Sequence, residues 1–99
     1  MKEYIAKLQK AIRDLHGCES FHVYTTLVTE AFEGKIIWQN EVESFGLLAH
    51  PKAAICYAWG YEEGGTWHYT TVLSIPPVYT PRSAVKVAML EIVSRNDGV

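Results

Sequence analysis

The side chains of this chain with chemistry to offer are four histidines, two cysteines, several carboxylates and a run of aromatics. His16, His22, His50 and His68 show none of the H-x-x-x-H, H-E-x-x-H or C-x-x-C spacings that gather metal ligands, so no metal site is expected. His22 and His68 fall on strands that a simple meander keeps apart. Cys56 would need a neighbouring base to act as a thiolate nucleophile. It lies between Ala54 and Ala58, where small residues mark close packing and a thiol is an inert apolar group. Glu41 and Glu43 share one strand face, and Glu62 and Glu63 sit in a turn. Paired carboxylates do acid–base work when one is buried and its pKa is raised. The turn pair reads as solvated. Gly64-Gly65 joins two strands rather than a strand and a helix, so it is no phosphate loop. No catalytic residue and no cofactor is expected.

Two features point to binding instead. His50-Pro51-Lys52-Ala53 puts a titratable ring, a fixed φ and a cation in one short loop, a composition that suits an anion or a partner. Its plainer reading is a rigid turn feeding the next strand. The second feature is aromatic: Trp38, Tyr57, Trp59, Tyr61, Trp67 and Tyr69 spread over three consecutive strands. Such a row stacks bases, fills a core or makes a protein interface. Base stacking also needs a basic groove. Residues 17–79 hold two lysines against seven glutamates, a sum of −5, so nucleic acid is not the expected partner. The binding candidates are therefore Trp38, His50, Lys52, Tyr57, Trp59 and Trp67.

The elements that position these residues follow from periodicity. Ile5, Leu8, Ile12 and Leu15 recur at three and four residues, which predicts an N-terminal helix closed by Gly17. The period then becomes two. Strands are expected over Phe21–Phe32, Lys35–Ser44, Ala53–Tyr61 and Thr66–Ile75, with turns at Glu33-Gly34 and Glu62–Gly65. In the third strand the alternation is one of size: Ile55, Tyr57, Trp59 and Tyr61 against Ala54, Cys56, Ala58 and Gly60. Gly46 and Pro51 break the pattern, so Phe45–Lys52 reads as a loop or a bulged strand end. Pro76-Pro77 stops the fourth strand. Thr80 suits an N-cap and Pro81 the first helical position. Ala84, Val85, Ala88, Met89, Ile92 and Val93 then give a broad apolar face, ended by Asn96-Asp97-Gly98.

At 99 residues, 48% apolar and 20% charged, the composition is that of one folded domain over residues 1–99. No run is long and apolar enough for a membrane span, and the lysine-bearing start has no signal-peptide core. Two cysteines do not make a disulfide scaffold, so a cytoplasmic setting is expected. Short links imply antiparallel neighbours. The expected fold is α+β: a four-stranded antiparallel β-meander with an N-terminal and a C-terminal helix packed on one face.

Helix, meander and helix in this order resembles the double-stranded-RNA-binding-domain fold. In that family the last helix opens with a basic stretch that grips phosphates. The corresponding stretch is Thr80-Pro81-Arg82-Ser83-Ala84-Val85, in which Arg82 and Ala84 keep the pattern and Pro81 and Val85 depart from it. The resemblance implies an alternative function, nucleic-acid binding through basic helix faces with Lys7, Lys10, Arg82 and Lys86. The leading expectation is a non-catalytic binding or assembly module. It would use an uncovered aromatic sheet face, most simply as a homodimer, with another protein as the other partner. Trp38, Trp59 and Trp67 would be its anchors. A third expectation is a small-molecule or catalytic site near His50, with Trp59 and His68.

Overall fold

The computed structural model describes residues 2–97, with α1 at Lys2–His16, β1 at Ser20–Phe32, β2 at Lys35–Leu47, β3 at Ile55–Glu63, β4 at Thr66–Leu73 and α2 at Pro81–Asp97. The four strands form one antiparallel sheet in the order β1-β2-β3-β4. Both outer hairpins close through two residues with positive φ, Glu33-Gly34 and Gly64-Gly65. That backbone twist matches the twist of the strands it joins. Phe45–Leu47, expected to break the strand, stays in β2 because the Phe21 ring from β1 lies over Gly46, where a Cβ would sit. The Pro76-Pro77 peptide is cis. Thr80 caps α2 as expected: its Oγ1 accepts the Ser83 N–H at 3.1 Å, and Ser83 Oγ accepts the Thr80 N–H at 2.9 Å. Ile92, Val93 and Gly98 lie outside the described residues and side chains.

The α+β meander with a helix at each end is the expected one. The two helices, however, pack on opposite faces and not on one. The cause is the size alternation of β3. Its large row, Ile55, Tyr57 and Trp59, packs with Val28 and Val42 against the small residues Ala84, Val85 and Ala88 of α2. Its small row, Cys56 and Ala58, packs with Phe45 against the large residues Tyr4, Ile5, Leu8 and Ile12 of α1. Bulk on the strand meets a shallow helix surface on one side, and the reverse holds on the other. Each match lets helix and strand approach closely, whereas two helices on one face would leave the other row in water.

Polar contacts at both ends fix α1, with Gln9 Nε2 donating to the Ser20 carbonyl at 3.0 Å between them. The Tyr4 hydroxyl accepts the Gly60 N–H at 2.7 Å, and burial raises the Tyr4 pKa. Gly60 continues the small row, and a Cβ there would lie 3.0 Å from the Tyr4 ring and 3.1 Å from Tyr69. At the other end His16 Nε2 meets Thr71 Oγ1 at 2.8 Å. Burial, and then the neighbouring His50, lower the His16 pKa.

Gly60→Ala should therefore cost about 1–3 kcal/mol through overpacking, read as a lower urea midpoint at unchanged slope. An unchanged midpoint would mean that α1 does not press on β3. The His16 shift predicts pH dependence of defined sign. Because the folded value lies below the ordinary 6.5, the contribution is full above that pH and is lost as pH falls through the lowered value. His16→Gln should flatten this part of the stability–pH curve.

Candidate functional site

β2 and β3 pair only over Glu43–Gly46 and Ile55–Ala58, so the two hairpins meet at their bases and part beyond. Asn40 Nδ2 donates to the Gly60 carbonyl at 2.9 Å across the gap. On the α2 side the gap opens into a cleft of about 170 Å³. Trp38 comes from β2, Trp59, Tyr61 and Glu63 from β3, and Thr70 from β4, while Val85, Ala88 and Met89 of α2 form the roof. Period two explains the β3 contribution, since residues 59, 61 and 63 alternate onto the same face. The rings of Trp38 and Trp59 meet edge to face, with centroids 5.7 Å apart and planes at 75°. Tyr61 stacks on His68 at 5.3 Å. The cleft is aromatic and aliphatic except for the Glu63 carboxylate and the Thr70 and Tyr61 hydroxyls.

Of the binding candidates, the fold brings Trp38 and Trp59 together in this cleft. Tyr57 lies deeper in the same core, with its hydroxyl donating to the Tyr79 carbonyl at 3.0 Å. Trp67 is on the α1 face, edge-on to Tyr4 at 6.4 Å. His50 Nδ1 accepts the N–H groups of Lys52 and Ala53, both at 3.1 Å, so the ring closes the turn that carries it. Its ring neighbour is His16, on the α1 side, and the fold does not gather His50 with Trp59 and His68. Lys52 is exposed. The four basic helix residues are divided between the two faces: Lys7 and Lys10 on α1, Arg82 and Lys86 on α2. Lys10 pairs with Asp14 at 2.6 Å and Arg82 with Glu30 at 3.4 Å. Cys56 is fully buried, and burial pushes its thiol up to about 12, the behaviour of an apolar group rather than a nucleophile.

One cluster escaped the sequence reading. Glu43, on β2 and facing α1, is completely buried. Its Oε1 accepts from Thr25 Oγ1 and lies 2.8 Å from His22 Nε2, and its Oε2 has no partner among the described residues. A bulge between His22 and Tyr24 makes this possible, because Val23 is the extra residue and turns His22 onto the face of Thr25. His22 packs beside Phe45, with centroids 5.5 Å apart. The shared face of Glu41 and Glu43 was the available signal, but only the register shows which of the two is covered; Glu41 is exposed. The grooves lined by Lys86 and Met89, by Thr26–Thr29 with Arg82, and by Trp38 and Trp59 lie on the α2 side, away from this array.

His22→Ala should cost about 1–3 kcal/mol by stripping a partner from a buried carboxylate. The same substitution should cost clearly less in a Glu43→Gln background, where no charge is left behind. Urea denaturation of the four proteins measures the coupling, and additive costs would deny it. No family model matches this chain, and no curated protein or solved structure matches it, so function rests on the geometry above.

Proposed function

We propose that the protein is a non-catalytic assembly module that pairs with a second copy through the outer edge of β1. The observation that carries this reading is β1 itself, a thirteen-residue edge strand without proline or lysine. Phe21, Val23, Tyr24 and Leu27 on it are all exposed, Leu27 by 63%. An edge of this kind offers unpaired backbone donors and acceptors to another strand, and natural sheets commonly guard such edges with charge or proline. The one carboxylate in β1, Glu30, is buried beside Arg82, so it does not guard the edge. Arg82 also reaches the Thr29 carbonyl at 3.4 Å, so the proposed pairing runs over Tyr24–Val28, between that contact and the bulge at Val23.

A second copy suits this edge because antiparallel pairing of a strand with itself closes about a two-fold axis and joins the sheets without a further surface. This changes the expected interface. Stacking of an uncovered aromatic face is not favoured, since each face carries a helix. Trp59, at 4% exposure, belongs to the core and is no interface anchor.

Light scattering after gel filtration tests the reading. Wild type should show twice the 11.2 kDa chain mass at micromolar concentration. Leu27→Lys should give a folded monomer, because Leu27 contributes nothing to either core cluster. A concentration-independent mass of one chain would overturn the proposal.

A further inference from the structure

The Trp38–Trp59–Tyr61–Glu63 cleft has a composition that neither a core nor an assembly edge requires. We infer that it is a binding site for a methylated ammonium group. The inference does not depend on pairing through β1, since the cleft lies between β2, β3 and α2.

Size comes first. A cleft of about 170 Å³ is well below the roughly 300–1,000 Å³ of pockets that take drug-sized ligands and cofactors, so it suits a small headgroup. The electrostatics come second. Trp38 and Trp59, their planes at 75°, both line the cleft, and Tyr61, stacked on His68 by one face, adds a third ring. Aromatic faces carry negative quadrupole density and attract a cation placed over them, most strongly where water is excluded. Glu63 supplies a full negative charge at the same cleft, and it has no ion-pair partner among the described residues. The surrounding segment, residues 17–79, adds to a potential favourable to cations, with its sum of −5.

Hydrogen bonding selects among cations. A primary ammonium entering the cleft gives up water around three N–H donors, and among the lining side chains only Glu63, Thr70 and the Tyr61 hydroxyl can accept, the others being apolar or, in the indoles, donors only. A quaternary ammonium has no N–H to satisfy. Its charge is spread over methyl groups that pack on indole faces, on Val85 and on the Met89 thioether. The cleft therefore favours the methylated cation over the bare one. The same chemistry occurs in choline-like small molecules and in trimethylated lysine side chains.

Heteronuclear NMR titration of the full chain tests this, with the three indole N–H signals as internal reporters. Tetramethylammonium, choline and trimethyl-lysine amide should shift the Trp38 and Trp59 signals saturably and leave Trp67 unmoved. Unmethylated lysine amide and sodium chloride at equal ionic strength should not shift them. Whichever of choline and trimethyl-lysine amide binds tighter identifies the source of the group. Glu63→Gln, at an exposed position, should weaken binding about fivefold. Trp38→Leu, which keeps apolar bulk and removes a π face, should weaken it roughly tenfold. The inference fails if no saturable shift appears. It fails equally if choline's neutral isostere, with carbon in place of the nitrogen, binds as well as choline, or if Glu63→Gln binds like wild type.

Discussion

The structure depends on the two rows of β3. One strand presents bulk to one helix and hollows to the other, and the helices answer in kind, with alanine and valine on α2 and tyrosine, leucine and isoleucine on α1. Volume complementarity of this sort sets where each helix lies, because a void or a clash on either side costs more than any single surface contact returns. Gly60 extends the small row, which lets the Tyr4 hydroxyl reach the β3 backbone and ties the first residues of α1 to the centre of the fold.

The same strand creates the cleft. β3 is paired to β2 for only four residues, and beyond them the hairpins part. Large side chains continue along β3 on the α2 side as Trp59 and Tyr61, with Trp38 facing them across the gap. Ala88 in the roof leaves space where a larger residue would fill it. A core row thus runs outward into a half-open aromatic pocket, with a carboxylate at the end of the strand.

Polar groups are distributed by a different logic. Glu43 is held in the α1 layer by His22 and Thr25, a small buried network that only a bulged β1 can assemble. A network of this kind is costly to break and sits near a bulge, which also perturbs the neighbouring edge. Four exposed apolar residues, Phe21, Val23, Tyr24 and Leu27, follow one another along that edge, and others, Phe32, Ile36 and Ile37, lie at the β1–β2 hairpin. Among the described residues no helix is long and apolar enough to cross a membrane.

The amino-acid sequence by itself determined the elements. The three-and-four spacing of Ile5, Leu8 and Ile12, the glycine turns at Gly34 and Gly64-Gly65, and the Thr80-Pro81 start of α2 are local signals. Each acts within a few residues, through backbone φ, hydrogen bonding or side-chain period. The size alternation of β3 was equally visible, and it already held the information that both faces of the sheet are packed. Tertiary structure alone decided which helix takes which face, that Glu43 rather than Glu41 is buried, that Trp38 meets Trp59 while Trp67 goes to the other side, and that His50 closes its own turn. Those outcomes turn on register, on one extra residue at Val23 and on volume matching between segments far apart in the chain. A one-residue slip of a strand reverses the face of every side chain it carries, so no local pattern could have settled them.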